Sequence, residues 1–150
     1  MRLTYQTDYA LRTLLYLSCL PEGKLANIQE IATVYAISQN HLMKIVHKLG
    51  KLEYIETIRG HKGGLRLKKK PEEINIGALV RMTEEDFYVV ECFHQQTNRC
   101  LLSPVCQLRG VFQEAMAAFF RVLDNYTLAD LIQDREMYEQ LFEQKLIEIS

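Results

Sequence analysis

The sequence predicts a mostly α-helical fold with one small β-hairpin. Apolar residues recur at spacings of three and four in segments along the chain, which is the pattern of helices with one face on a core. Residues 54–68 do not follow this helical pattern. Two short segments flank a loop with three glycines there, and this arrangement predicts the hairpin. A chain of 150 residues makes one domain, or a domain with an appendage, and can bury a sizeable core.

Charge, hydropathy and cysteine content limit the class of protein. The net charge is −1, but residues 1–70 carry twelve Lys and Arg against five Asp and Glu, whereas residues 71–150 carry six against fourteen. A basic first half suggests contact with phosphates. No apolar run approaches the roughly 20 residues that span a bilayer, and no signal-peptide pattern opens the chain, so we expect a cytoplasmic protein. In that reducing compartment the four cysteines are expected to be ligands, reactive groups or core residues.

The first predicted helix runs from about Thr7 to Leu20 and is apolar enough to be a core helix. Pro21 and Gly23 end it. Cys19 lies on this helix, and as a small apolar residue it is expected to be buried without a function of its own.

The next two helices predict a helix-turn-helix. Asn27 and Glu30 have the spacing of a capping box at the start of one helix, and Ser38 can cap a second helix that runs to about Leu52. The connection between them is short, and the outer face of the second helix is polar and basic. In a helix-turn-helix, such a second helix enters the major groove of DNA. Its candidate DNA-binding residues are Ser38, Gln39, Asn40, His41, Lys44 and Lys48.

The hairpin predicts a wing beside this motif. Tyr54 to Arg59 and Leu65 to Lys68 are expected to be strands, and the glycine-rich loop between them allows a tight turn. Positive charge lies at or near the tip. A helix-turn-helix followed by a basic hairpin is a winged helix, in which the hairpin contacts phosphates or the minor groove. The candidate DNA-binding residues of the hairpin are Arg59, His61 and Lys62.

An irregular acidic segment then carries Cys92, Cys100 and Cys106. A loop this long is usually functional or disordered, and a metal centre would order it. No two of these cysteines are separated by only two residues, which disfavours zinc knuckles and dithiol oxidoreductases, whereas iron–sulfur clusters accept wider spacings. Such a centre needs a fourth ligand, for which His94 or a carboxylate such as Asp8 is a candidate.

Two other interpretations of the cysteines remain open. The three thiols could be unrelated to one another, or one of them could be the nucleophile of an enzyme. The enzyme interpretation is the weaker one, because no cysteine has a recognisable base and orienting group beside it in the sequence.

From Cys106 to about Leu123 the chain predicts a long helix. Leu108, Phe112, Ala115, Phe119 and Val122 repeat at spacings of four and three, as in a coiled-coil seam. The helix therefore fills a core or pairs with its copy, and we expect a homodimer that binds a palindromic operator. Thr127 is expected to cap a short helix, and residues 134–147 to form an acidic tail helix.

The predicted fold class is thus mostly α with a small β-hairpin wing, that is, a winged helix-turn-helix plus a long dimerisation helix. We predict three regions: residues 1–83 as the winged helix-turn-helix DNA-binding domain, residues 84–106 as a cluster-binding loop, and residues 107–150 as the dimerisation helix and C-terminal helical tail.

Several motifs follow one another in a fixed order along the chain: Leu3-Thr4, Thr7-Asp8-Tyr9, Ser38 to Ile45, the wing from Arg59-Gly60 to Gly63-Gly64, the three cysteines, and Leu123 to Leu131. With these motifs the chain, up to about Ile132, resembles the winged-helix iron–sulfur transcriptional regulators, most closely the nitric-oxide-sensing repressors of the NsrR type. The resemblance to the nitric-oxide branch rests chiefly on the helix from Ser38 and on the segment after Asp124. Arg109 occupies the position at which relatives that regulate cluster assembly have a histidine, which disfavours the histidine-ligated branch.

The resemblance implies a homodimeric repressor, not an enzyme. Its iron–sulfur cluster, [2Fe-2S] or [4Fe-4S], would be held by Cys92, Cys100 and Cys106, with Asp8 of the other subunit as the oxygen ligand. Nitric oxide would be the signal, and nitrosylation would release DNA. Asp8 has an alternative role, because Arg12 lies one turn later and could pair with it. A regulator without a cluster, or one that senses redox state, iron–sulfur status or thiols, is the alternative function.

Overall fold

The structure is a computed structural model that describes residues 2–149. Met1 and Ser150, the outer bounds of the first and last predicted regions, lie outside the described residues. The described chain is mostly helical with one two-stranded antiparallel sheet, which confirms the predicted fold class. The elements are α1 (Tyr5–Ser18), α2 (Ile28–Tyr35), α3 (Gln39–Lys51), β1 (Ile55–Ile58), β2 (Gly64–Leu67), α4 (Ile76–Thr83), α5 (Gln107–Asp124), α6 (Leu128–Leu131) and α7 (Arg135–Ile149).

The core is built around α1, which packs against α2, α3, α4, α6 and β2. Each fully buried Leu or Ile side chain stabilises the fold by about 1.5–3 kcal/mol relative to an exposed one. Cys19 is also buried, as its apolar character predicted, and burial raises the pKa of its thiol. The largest buried side chains include Leu14, Ile31, Leu42, Leu49, Ile55, Ile74, Leu79 and Leu128.

Local capping explains where α2 and α3 begin. The Glu30 amide donates to Asn27 Oδ1 at 2.8 Å and the Asn27 amide donates to Glu30 Oε2 at 3.2 Å, so the predicted capping box is present. The Ser38 hydroxyl oxygen accepts from the His41 amide at 3.3 Å and caps α3. Between the two helices, Ala36 adopts a left-handed conformation with φ of 52°. This turn connects α2 to α3, and the two helices pack against each other.

The hairpin pairs β1 with β2 in the antiparallel register Ile55↔Leu67 to Ile58↔Gly64. Its loop needs glycine at two positions. Gly60 has φ of +113°, and a Cβ at Gly63 would lie 2.1 Å from the Ile58 carbonyl oxygen. Two backbone hydrogen bonds between Ala26 and Leu65, of 2.7 and 3.0 Å, attach the hairpin to the segment before α2.

The last helix, α7, packs on α2, a contact that the sequence did not predict. Phe142 lies 4.9 Å from the Tyr16 ring centroid and 5.8 Å from that of Tyr35, and Arg135 donates to the carbonyls of Cys19 and Leu20. The tail therefore covers the C-terminal end of α1. Within residues 2–149, no helix has the length and apolar character needed to cross a membrane.

Candidate nucleic-acid interface and cysteine segment

The second helix of the helix-turn-helix, α3, presents a polar face to solvent. Its apolar residues Leu42, Ile45, Val46 and Leu49 are buried, so the residues on the other side of the helix must point outward. The four candidates of its first half, Gln39, Asn40, His41 and Lys44, are exposed. Ser38 is exposed too, but it acts as the N-cap of the helix.

The wing, that is, the β1–β2 hairpin, carries some cations that form ion pairs within the protein and others that do not. Arg66 pairs with Glu56 at 2.6 Å and Lys68 pairs with Glu53, so both charges are neutralised within the hairpin. The three candidates Arg59, His61 and Lys62 are exposed, and Arg59 and Lys62 form no ion pair with any other residue of 2–149. Their charge is therefore available to a phosphate.

Lys48 differs from the other α3 candidates. It is half-buried, and its Nζ donates to the Thr83 carbonyl at 2.8 Å and to Gln6 Oε1 at 3.2 Å. These partners are 35 and 42 residues away in the chain, and helical periodicity does not reveal such contacts. A DNA-binding role for Lys48 stays a prediction.

The segment that carries the three cysteines, residues 84–106, is called the cysteine segment. It is ordered by hydrogen bonds between side chains and backbone. The Arg99 amide donates to Glu91 Oε1 at 2.7 Å, and the Cys100 amide donates to Asn98 Oδ1 at 3.0 Å. The Asn98 side chain also donates to Ser103 at 2.8 Å. Cys92 and Cys106 are half-buried, Cys100 is exposed, and all three are free thiols.

His94, a candidate fourth ligand, is engaged inside this segment. Its Nδ1 accepts from the Thr97 amide at 3.2 Å, and the Tyr88 ring packs edge-on against the imidazole at 4.9 Å. An accepting Nδ1 cannot at the same time bind a metal, which leaves only Nε2 for that role.

Asp8, the candidate that the resemblance favours, is paired on its own helix. Arg12 donates to its two carboxylate oxygens at 2.8 and 2.9 Å, as the spacing of four residues allowed. The Arg12 guanidinium lies 5.8 Å from the Tyr35 ring centroid, so it also joins α1 to α2. Iron bound by Asp8 would compete with Arg12 for the lone pairs of this carboxylate.

The donor set suits iron–sulfur chemistry, although residues 2–149 of one chain do not gather three or more His, Cys, Asp or Glu side chains at metal-binding spacing. Soft thiolates are the preferred ligands of such clusters. Cys106 stands at the N-cap of α5, where the helix dipole favours an anionic ligand. Three residues later, Arg109 Nε is buried without a hydrogen-bond partner among the described residues.

Sequence comparison assigns the chain to a family. The model of the Rrf2 family, described as iron-dependent transcriptional regulators, matches residues 3–134. The HTH-type transcriptional regulator NsrR of Geobacillus kaustophilus is 55% identical over 145 residues, which cover 97% of this chain and 99% of the relative. The regulator of the same name from Halalkalibacterium halodurans is 52% identical over the same shares of the two chains.

Solved structures agree on the fold. A putative transcriptional regulator from Listeria innocua has a TM-score of 0.74 at 25% identity, with 89% of this chain and 87% of that chain covered. CymR, the global cysteine regulator of Bacillus subtilis, has a TM-score of 0.71 at 23% identity, with 87% and 95% covered. The two NsrR proteins and the Listeria innocua protein are named as transcriptional regulators, which favours a regulator over the cysteine-nucleophile enzyme. The chain therefore belongs to the Rrf2 family of DNA-binding transcriptional regulators.

Proposed function

We propose that the protein is a cytoplasmic, homodimeric transcriptional repressor that carries an iron–sulfur cluster and releases DNA when nitric oxide nitrosylates the cluster. The observation that carries the proposal is the position of the three free cysteines, which lie between the end of α4, at Thr83, and the N-cap of α5. This segment joins the proposed DNA-binding domain, residues 1–83 and below called the head, to α5. A change in the conformation of the segment can therefore alter the position of the head relative to α5.

The DNA contacts are assigned to two exposed surfaces. The outer face of α3 offers amide, imidazole and ammonium groups, which recognise base edges and phosphates in the major groove. The hairpin offers cations to the neighbouring phosphates. The proposed contact residues are Gln39, Asn40, His41 and Lys44 on α3, and Arg59, His61 and Lys62 in the hairpin.

Pairing of α5 with a second copy is the proposed dimer contact. None of the 18 residues of α5 is buried, and Leu108, Val111 and Val122 are each more than half exposed. An open groove of about 840 Å³ runs beside the helix and is lined by apolar side chains such as Phe112, Met116 and Phe119. An apolar helix face of this extent favours burial against a like surface.

Cys92, Cys100 and Cys106 are the proposed thiolate ligands, and Asp8 of a second copy is the proposed oxygen ligand. When bound, the cluster supplies iron that nitric oxide can attack. The chain's own residues then hold or release the head: ligation by Asp8 ties α1 to the cysteine segment, whereas release lets Asp8 return to Arg12. Two heads that are no longer held at one spacing bind two half-sites poorly.

The test is an anaerobic purification followed by visible absorption and DNA-binding measurements, before and after addition of nitric oxide. The probe is a double-stranded fragment that the wild-type protein selects from random sequences. Cys100→Ala should lose the visible absorption and tight DNA binding together. Cys19→Ala is the matched control, because Cys19 is buried in the core and should leave the absorption unchanged.

Colourless wild-type protein that binds the fragment at full strength would overturn the cluster proposal and favour a thiol-controlled regulator without a cluster. Coloured protein whose DNA affinity does not change with nitric oxide would overturn the proposed signal.

A further inference from the structure

The C-terminal half of α3 is fastened to the last residue of α4. Lys48 donates to the Thr83 carbonyl at 2.8 Å and to Gln6 Oε1 at 3.2 Å. The last carbonyls of a helix have no partner within the helix and lie at the negative end of its dipole. An ammonium from α3 at this point therefore satisfies one of the free carbonyls of α4.

The junction around Thr83 is buried and hydrogen-bonded on several sides. Thr83 is 1% exposed, and its hydroxyl donates to the Leu79 carbonyl at 2.9 Å and contacts the Thr7 hydroxyl at 2.9 Å. The next residue, Glu84, accepts from the Thr4 amide at 2.7 Å and from the Thr4 hydroxyl at 3.1 Å. These hydrogen bonds join the start of α1 to the end of α4 and to Glu84, the first residue of the cysteine segment. Through Lys48, α3 is joined to the same place.

Lys44 provides the contrast within the same helix. It lies one turn earlier, it is exposed, and none of the six ion pairs found among residues 2–149 includes it. The ammonium of Lys48, by comparison, already has two protein acceptors. Contact with a phosphate would require Lys48 to leave both of them.

We propose that Lys48 is a positioning residue for DNA recognition: it sets the position of α3 against the junction of α1, α4 and the cysteine segment, and it does not contact DNA. This inference rests on the proposal that α3 binds DNA. The sequence pattern places Lys48 with the residues predicted to contact DNA, whereas this inference gives it a structural role in placing α3.

The test is the salt dependence of DNA binding for Lys48→Met, Lys48→Gln, Lys48→Arg and Lys44→Met, with the selected double-stranded fragment as the probe. All proteins are measured at a temperature at which circular dichroism shows them fully folded. A lysine that neutralises a phosphate contributes about one unit to the slope of log affinity against log salt. Lys44→Met should therefore reduce the slope by about one.

Lys48→Met and Lys48→Gln should keep the wild-type slope while they weaken binding by about ten-fold, because an α3 that is no longer fastened to α4 holds the binding position in a smaller fraction of the molecules. Lys48→Arg, which retains donors, should restore the affinity. Amide hydrogen exchange in the last turn of α4 should be faster in Lys48→Met and unchanged in Lys44→Met.

A slope reduced by about one in either neutral Lys48 variant would show a phosphate contact and overturn the proposal. Unchanged affinity and unchanged amide exchange in both variants would overturn it as well. The wild type and the variants are compared in the same anaerobically prepared state, so a colourless wild type that still binds the fragment counts against the cluster alone. An unchanged slope for Lys44→Met counts instead against α3 as the DNA-binding helix.

Discussion

Arg81 and Asp124 form a bidentate ion pair that joins α4 to the C-terminal end of α5. The two guanidinium nitrogens of Arg81 lie 2.5 and 2.8 Å from the two carboxylate oxygens of Asp124. The same guanidinium lies 4.1 Å from the Phe120 ring centroid, and Phe120 packs edge-on against Phe87 at 4.6 Å. This pair is therefore one of the contacts that hold the C-terminal end of α5 against α4.

Gly77 makes room for the ion pair, and Gly77→Ala tests it. A Cβ at Gly77 would lie 1.9 Å from Asp124 Oδ1, so the carboxylate must move away from Arg81. The higher helix propensity of alanine partly offsets the loss of the ion pair, so we expect Gly77→Ala to lower the free energy of unfolding by about 1 kcal/mol relative to Gly50→Ala. Urea denaturation measures the change.

Asp124→Ala in the same chain should remove most of that cost, because the obstructing side chain is then absent. Gly50→Ala is the control, since a Cβ at Gly50 meets nothing within 4 Å. Fully additive effects of Gly77→Ala and Asp124→Ala would contradict the steric explanation.

The same ion pair predicts a pH dependence. The hydrogen bonds from Arg81 lower the pKa of the Asp124 carboxyl below its ordinary value. A lowered pKa in the folded state contributes stability that is present above the unfolded pKa, near 4, and is lost as the pH falls through the folded value. Asp124→Asn should therefore be less stable than the wild type at pH 7, and the difference should shrink below about pH 4.

Urea titrations at a series of pH values measure this difference. Glu143→Gln removes an exposed carboxylate of α7 that forms no ion pair with any other residue of 2–149, and it serves as the control for the loss of one acidic side chain. A stability difference for Asp124→Asn that is constant from pH 7 down to about pH 3 would rule out the ion pair as its source.

Elements defined by local patterns were predictable, and contacts between distant segments were not. Asn27 and Ser38 cap the helices they were expected to cap, because capping depends on residues within one turn. Helix α1 begins two residues earlier than predicted, at Tyr5, since the exact end of a helix is weakly encoded. The partners of Lys48 are brought close by the packing of whole helices, which no spacing in the sequence encodes.

Phe142 tests the packing of α7 on the helix-turn-helix. Its ring lies among those of Tyr16, Tyr35 and Tyr138, and burial raises the pKa of Tyr16 to about 12. Phe142→Ala should lower the free energy of unfolding by about 2 kcal/mol, roughly half of the cost at a fully buried site. Leu141→Ala, at a residue that is 57% exposed, is the matched control and should change stability by less than about 0.5 kcal/mol. Equal effects of the two variants would show that α7 does not pack in this orientation.

Ala36 tests the turn between α2 and α3. Its φ of 52° is left-handed, which costs a residue with a Cβ about 1–2 kcal/mol, whereas glycine adopts this conformation freely. Glycine also adds about 0.4–1 kcal/mol of entropy to the unfolded chain, so the net gain from Ala36→Gly should be about 0.5–1 kcal/mol. Ala117→Gly, in the right-handed interior of α5, should instead lose about 1 kcal/mol. Thermal or urea unfolding of both variants measures the change in the free energy of unfolding, which should be a gain for Ala36→Gly and a loss for Ala117→Gly. A loss of stability in Ala36→Gly would mean that the turn is not left-handed at this residue.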